Sequence, residues 1–429
     1  MKHTPLSAEL FIQNRANFVA QMESNSIAVF HSNHQYTANA DLYFKFKQDT
    51  NLYYLTGIDQ EKTILFLFPD CPSPEFREVL FVLQSNEYLQ IWEGHKYDKQ
   101  ESTALSGIPT IKWLSEFQGF MDNWSHYADN IYISFNEHDR AVQLAPSQND
   151  DFAKLCRKRY PAHNLLRSAP ILTALRSIKS KWEVEAMQQA CDITHKTFER
   201  VLKFVQPEVT EYEIEAEITH EFLRNRATGH AYNPIIASGK NSNILHYEKN
   251  NQVCKAGDLL LMDFGAEYAG YAADLSRTIP VSKKFTSRQK EVYNAVLATF
   301  NFAKNLLQVG NNFLEYNQQV GNFAEIQLIQ LGLLDAEAVK KQSITSPLYK
   351  KYFMHNTSHY LGLDVHDVGN RFIPFEAGMV FTCEPGIYIP AEGFGIRIEN
   401  DILITENGNL DLMANIPIEA NHIEDIMNS

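Results

Sequence analysis

Four acidic residues of this chain sit inside runs that otherwise read as buried β-strand: Asp263 in LLLMDFG, Asp274 in YAADLSRT, Glu384 in VFTCEPG and Glu399 in GIRIEND. Alternate residues of a strand face the same side, so Leu259, Leu261 and Asp263 share one face while Leu260, Met262 and Phe264 share the other. Both faces are apolar, the pattern of a strand covered on both sides, and Asp263 is expected in the interior. A single acid in such a setting usually turns outward to water. Four acids on paired strands do not fit that explanation, because a buried ionised carboxylate is strongly disfavoured unless it is paired or lies beside a cation, and several together repel one another. Any fold for this chain must bring positive charge to these strands, and a bound metal is the simplest source.

At 429 residues the chain is longer than one hydrophobic core normally serves, so two domains are expected. Between Ile27 and Phe152 the short apolar runs IAVF, TILFLF, EVLFVL and NIYISF alternate with polar or helical stretches, which predicts a mixed sheet with covering helices. Pro161 and Pro170 flank a less regular segment before a helical pattern starts near Lys181, and the boundary is placed at residue 172. This gives an α/β domain over residues 1–172 and a second domain over 173–429.

In the second domain Met187, Cys191, Thr194, Phe198, Val201 and Val205 recur at helical spacing until Pro207. Thr210 with Glu213, and Thr286 with Gln289, form capping-box patterns that open further helices. Residues 313–331 read as a fourth helix. Strands are predicted at 259–264 and 271–279 with a turn near Gly270, and again at 379–389 and 395–404. The order helix, helix, hairpin therefore occurs twice without detectable sequence repetition, a pseudo-duplicated α/β unit (α+β in the broader scheme) that would bring two acid-bearing hairpins together.

Histidines complete the pattern: His355, His359 and His366 lie in HNTSHYLGLDVHDVG, and His246 in ILHYE. With 15 histidines in the chain, any one of them is weak evidence, and only the clustering with acids carries weight. An oxygen-dominated set with one imidazole suits manganese, cobalt or zinc, and carboxylates that bridge let two ions share a site. Two such ions would turn a bridging water into hydroxide at neutral pH and polarise a scissile carbonyl, with a nearby carboxylate passing the proton to the leaving amine. That is hydrolysis without a covalent intermediate. No G-x-S-x-G elbow, P-loop or Rossmann fingerprint offers a competing chemistry.

The formal net charge of −14 and the lack of basic runs argue against nucleic acid or an anionic membrane as partner. Five scattered cysteines without CxxC spacing fit reduced thiols. The opening MKHTPLSAEL lacks a signal peptide's apolar stretch, and the longest apolar run, residues 64–68, is too short to span a bilayer. A cytoplasmic location is expected.

These residues resemble the proline-specific branch of the pita-bread metallopeptidases, the aminopeptidase P (Xaa-Pro aminopeptidase) family. FKQDTNLYYLTGI (46–58) is similar to that family's R-Q-x-S-D-F-x-Y-x-T-G-type segment, and IWEGHKYDKQ (91–100) resembles its stretch carrying a tryptophan near the active site, here Trp92. The resemblance covers nearly the whole chain. It implies a pita-bread catalytic domain preceded by a smaller α/β domain that closes one side of the cleft, an Xaa-Pro aminopeptidase acting on peptides with proline second, two divalent metal ions with manganese first in line, and a homodimer or homotetramer. By it Asp263 would bind one metal, Asp274 and Glu399 would bridge both, and His359 and Glu384 would complete the other shell. Glu384 would also serve as general base, His246 and His366 would contact substrate or the tetrahedral intermediate, and His355, Tyr388 and Arg397 would support them. Arg397 lies two residues from Glu399 and is expected to orient that carboxylate. Where many relatives have H-G-x-x-H this chain has Asn356, expected to keep the turn through a positive φ.

Prolidase shares the fold and ligands but needs a group to capture a dipeptide's free carboxylate; methionine aminopeptidases usually lack so long an amino-terminal domain; creatinase-like hydrolases lack the metal ligands. From a different class, a pita-bread binding protein without catalysis would usually have lost ligands that are intact here.

Overall fold

The computed structural model describes every residue except Met1, Asp139, Val142, Gln143 and Ile344. The chain divides into two units, Pro5–Arg176 and Ser177–Ser429, the latter with the stretch ahead of Pro5. In the first, the four apolar runs become strands of a six-stranded sheet, ordered Thr110–Trp113, Glu78–Val82, Ile64–Leu67, Ser26–His31, Asn130–Ile133, Asn164–Arg167. Ile64–Leu67 pairs antiparallel with both neighbours and the outer pairings are parallel, so the sheet is mixed. Phe66, Phe81, Phe117, Phe120 and Phe152 pack on one face with Ile27, Val29 and Ile131. Elsewhere in this unit the buried Arg15 donates to Glu78 at 3.0 Å and to the carbonyls of Leu55 and Ser106, both at 2.9 Å; these bonds offset its desolvation.

The second unit repeats two helices and a hairpin. Lys181–Phe204 buries Met187, Cys191, Thr194, Phe198 and Val201. Thr210 and Thr286 cap the helices Glu211–Arg224 and Ser287–Leu306, each with both halves of the capping box formed, which satisfies orphan N–H groups at the first turn. Phe313–Gln330 follows, with Asn312 as its cap. Tyr268 pairs with Tyr271 across a two-residue turn whose Ala269 and Gly270 both have positive φ, the hairpin geometry that suits strand twist.

The strands expected to run unbroken over 271–279, 379–389 and 395–404 are each interrupted. The first hairpin consists of Leu259–Phe264 and Ala266–Tyr268 on one side of its turn, then Tyr271–Ala272 and Leu275–Pro280; the second consists of Val380–Cys383 and Gly386–Ile389, then Phe394–Arg397 and Asn400–Thr405. Asp274, Glu384 and Glu399 lie at those breaks. Pro385 has no N–H to give a ladder, and across the first hairpin a Cβ on Gly265 would sit 1.7 Å from the Ala273 carbonyl oxygen. Freed from their ladders, the backbone groups bond across the duplication. Glu399 N–H donates to Ser276 O at 3.0 Å, and Asp274 N–H donates to Asp401 Oδ2 at 3.1 Å.

The loop after Phe353 is tied to both hairpins, by Thr382 N–H to His359 O at 3.0 Å and Ala272 N–H to Gly362 O at 2.8 Å. A buried ion pair, Lys179 to Asp367 at 3.2 Å, fixes its far end. Among the described residues no helix is long and apolar enough to cross a membrane.

Gly265→Ala should therefore cost about 3 kcal/mol, the upper end of overpacking penalties, read as a lower urea midpoint. An unchanged midpoint would mean that this close crossing does not constrain the hairpin.

Candidate metal and catalytic site

The breaks deliver the acids to one place. Asp274, His359 and Glu399 each offer a ligand atom within 4.8 Å of the others. His359 Nε2 lies 3.5 Å from Asp274 Oδ2 and 3.8 Å from Glu384 Oε1. His359 Nδ1–H donates to the Tyr360 carbonyl at 2.9 Å, which selects the tautomer whose Nε2 lone pair points at the acids. Asp263 joins them through Tyr232, whose hydroxyl is 2.6 Å from Asp263 Oδ1 and 2.5 Å from Asp274 Oδ1. His366 stands edge-on to His359, ring centres 4.5 Å apart.

Burial and the neighbouring acids push Asp274 and Glu399 well above the usual carboxylate range, and burial pushes Glu384 up to about 7. Two carboxylates about 4 Å apart repel by ~4 kcal/mol at an effective dielectric constant of ~20, and this cluster holds more than two. Arg397 opposes that with a permanent charge, and the buried Arg277, which donates to the Glu399 carbonyl at 2.7 Å, adds a second beside Glu399. The donors are hard oxygens with an imidazole and no thiolate, so the residues present fit divalent cations of the manganese, cobalt and zinc group.

Arg397 reaches Glu399 indirectly and touches a second acid as well. Its Nη2 donates directly to Asp263 Oδ2 at 2.5 Å, while its Nε reaches Glu399 only through Ser276: Nε to Ser276 Oγ is 2.7 Å, and Ser276 Oγ–H to Glu399 Oε2 is 2.7 Å. The strand ends at Arg397, so the two-residue spacing to Glu399 no longer means a shared face. From the same guanidinium, Nη1 donates to Tyr388 Oη at 2.9 Å, and Tyr388 Oη–H donates to His355 Nε2 at 2.9 Å. Burial, followed by the Arg397 charge, drives His355 down to about 3, with a smaller contribution from nearby His246; His355 is a neutral imidazole whose Nδ1–H donates to Asn356 O at 2.8 Å. Asn356 is not among the residues with positive φ. Its carbonyl faces His355 in an ordinary conformation, contrary to the expectation of a left-handed turn.

His246 is exposed on the loop after the strand Ile235–Ser238. Trp92 belongs to the other unit, on the helix Glu87–Glu93, 72% exposed and ring to ring with Tyr88. Tyr232, Ser276 and Asp401 went unrecognised in the sequence, since each is an ordinary polar residue whose partner lies at least thirty positions away.

A family model for "Metallopeptidase family M24" matches residues 185–406, and one for "Aminopeptidase P, N-terminal domain" matches 11–132. The Xaa-Pro aminopeptidase of Escherichia coli K12 is 33% identical over 98% of both chains. Among solved structures, aminopeptidase PepP of Pseudomonas aeruginosa has a TM-score of 0.89 at 28% identity, covering 100% of this chain and 99% of its own. Zinc-substituted E. coli aminopeptidase P in complex with product has a TM-score of 0.87 at 31% identity and 99% coverage of both.

Tyr232→Phe keeps the ring and removes the hydroxyl shared by Asp263 and Asp274. Metal affinity, measured by calorimetric titration, should fall by roughly 10- to 100-fold with the unfolding midpoint of the metal-free protein little changed; unaltered affinity would remove Tyr232 from the site.

Proposed function

The chain belongs to metallopeptidase family M24, and on that premise we propose that it is a metal-dependent aminopeptidase that releases the first residue from peptides with proline at the second position. The observation that carries this reading is the convergence of Asp263, Asp274, His359, Glu384 and Glu399, drawn from both halves of a duplicated pita-bread unit. It is joined by the match to the aminopeptidase P amino-terminal domain, a part that the family's catalytic unit does not itself supply. The amino-terminal domain is assigned to residues 1–172 and the catalytic domain to 173–429.

Two divalent ions, manganese first, would be held by those five side chains. When bound, such ions supply Lewis acidity, polarising a carbonyl oxygen and making water acidic enough to attack at neutral pH. The chain's own residues do the rest. Glu384 takes the proton from the attacking water on a carboxylate oxygen and delivers it to the departing prolyl nitrogen. His246 and His366 donate hydrogen bonds to the oxygen on which negative charge develops, where preoriented donors give large transition-state stabilisation. Arg397 holds Asp263 and, through Tyr388, keeps the neutral His355 ring in place beside Glu384, its Nδ1 lying 3.8 Å from Glu384 Oε2. Five free, buried cysteines support a reducing, cytoplasmic compartment.

Chelation followed by readdition of manganese, cobalt or zinc should abolish and then restore release of the first residue from an Xaa-Pro-Yaa tripeptide, with an Xaa-Pro dipeptide cleaved far more slowly. The reverse preference would make the protein a prolidase; no cleavage of either would sink the peptidase reading.

Glu384→Ala should abolish turnover, whereas Glu376→Ala, an exposed acid, should leave kcat near wild type. Equal activity of the two variants would overturn the role given to Glu384.

A further inference from the structure

His246 sits on a segment that regular structure does not hold. After the strand ending at Ser238 the chain makes one short 3-10 turn, Gly239–Asn243, then runs without helix or ladder past His246 to Gln252. Both ends of that segment, and two points within it, converge on one buried carboxylate. Glu211 Oε1 accepts from Ser238 N–H at 2.8 Å, Ser238 Oγ–H at 2.7 Å and Asn241 Nδ2–H at 3.4 Å. Its Oε2 accepts from Tyr247 Oη–H at 2.8 Å and Gln252 N–H at 2.9 Å. Glu211 is 0% exposed and its own backbone N–H donates to Gln252 O at 2.9 Å.

We propose that Glu211 is a positioning residue for the reaction: its carboxylate closes the Ser238–Gln252 segment into a fixed loop and thereby sets where His246 presents its imidazole. The assignment rests on the reading of His246 as a hydrogen-bond donor to the reacting carbonyl.

Tyr247, the residue next to His246, carries the geometry. Its hydroxyl is bonded to Glu211 while its ring packs among Ile235, Ala237, Leu261 and Tyr388, so the backbone at His246 is referenced both to the carboxylate and to the strand side chains that line the site. On the opposite side Gly395 N–H donates to Ser242 Oγ at 2.7 Å, and the ideal Cβ position of Gly395 lies 2.5 Å from the Ser242 carbonyl oxygen. The loop is thus pressed against the strand that ends in Arg397. Asn250 adds a second tie, accepting from Ile236 N–H at 2.9 Å and donating to Glu215 Oε2 at 2.8 Å.

Five donors aimed at one group match a carboxylate, whose two oxygens offer acceptor sites on both sides. As the first residue of the helix Glu211–Arg224, Glu211 also stands at the positive end of that helix's dipole. A glutamine there would keep the length but turn an NH2 toward donors on one side, leaving them unmatched. The contacts are too many for a simple helix cap: the cap itself is made by Thr210 and Glu213, and the Glu211 side chain is spent entirely on residues 238–252.

The test is a double-mutant cycle on the metal-loaded full chain with an Xaa-Pro-Yaa peptide, using Glu211→Gln, His246→Ala and both together, with metal content and amide exchange measured on each. The expected result is a fall in kcat on the order of 10- to 100-fold for Glu211→Gln, the scale that a displacement of about 1 Å costs a catalytic group, with metal content retained and amide exchange accelerated only over residues 238–252. In the His246→Ala background the same substitution should have little further effect on kcat. Tyr247→Phe, which removes one of the five bonds and keeps the packing, should give a smaller fall of the same kind and serves if Glu211→Gln does not fold. Retained kcat in both variants, or a fall that persists in full without His246, overturns the proposal. If His246→Ala alone turns over at the wild-type rate, the reading of His246 fails and the proposal with it; if that variant is impaired but the cycle is additive, only the role of Glu211 fails.

Discussion

Carboxylates withdrawn from water and set beside one another repel, and that repulsion governs the design of the second unit. Asp263, Asp274, Glu384 and Glu399 cannot be gathered by a sheet that merely packs well, because each gains by turning back toward solvent. The hairpins hold them by spending backbone hydrogen bonds in an unusual way. At two of the breaks the N–H reaches across to the other half, Glu399 to Ser276 and Asp274 to Asp401, while at the third Glu384 N–H donates to Thr357 O. The cost of assembling like charges is thus offset by links between the halves, with Arg397 as a fixed counter-charge at their centre.

That arrangement also explains why so few side chains near the acids are free to vary in orientation. Arg397 uses three of its nitrogens on three partners, Asp263, Ser276 and Tyr388, and two of those relay the contact onward to Glu399 and His355. A cation entering such a site meets ligands whose directions are already set, so little ordering remains to be done on binding. The buried Lys179–Asp367 pair does a similar service at the far end of the His359 loop, where breaking one partner would leave the other charge stranded.

Much of this was legible from the residues. Capping boxes at Thr210 and Thr286 and the turn at Gly270 are written in a few adjacent positions, and they formed where expected because their chemistry is local. The acids stood out because each contradicted the apolar run around it. What could not be read was anything decided by a partner distant in sequence. Tyr232 gave no local sign of lying between two carboxylates, and Glu211 read as an unremarked residue of a helix's first turn. The strand breaks were missed for a related reason: Pro385 and Gly265 are visible in the sequence, but the crossing of Gly265 against Ala273 shows only in the fold. Once the strand ended at Arg397, spacing along the chain ceased to say what that guanidinium would touch.

The acids of the centre span residues 263 to 399 of a chain of 429. A growing chain leaves the ribosome amino-terminus first, and its domains fold in that order. The first hairpin is therefore complete long before the second exists, and for that interval Asp263 and Asp274 are ordinary carboxylates with only half of a coordination set. A preformed site rarely exists before folding, and here the acids are gathered only once both hairpins are in place. A complete set of these side chains therefore reports that both halves of the duplicated unit have been made and closed.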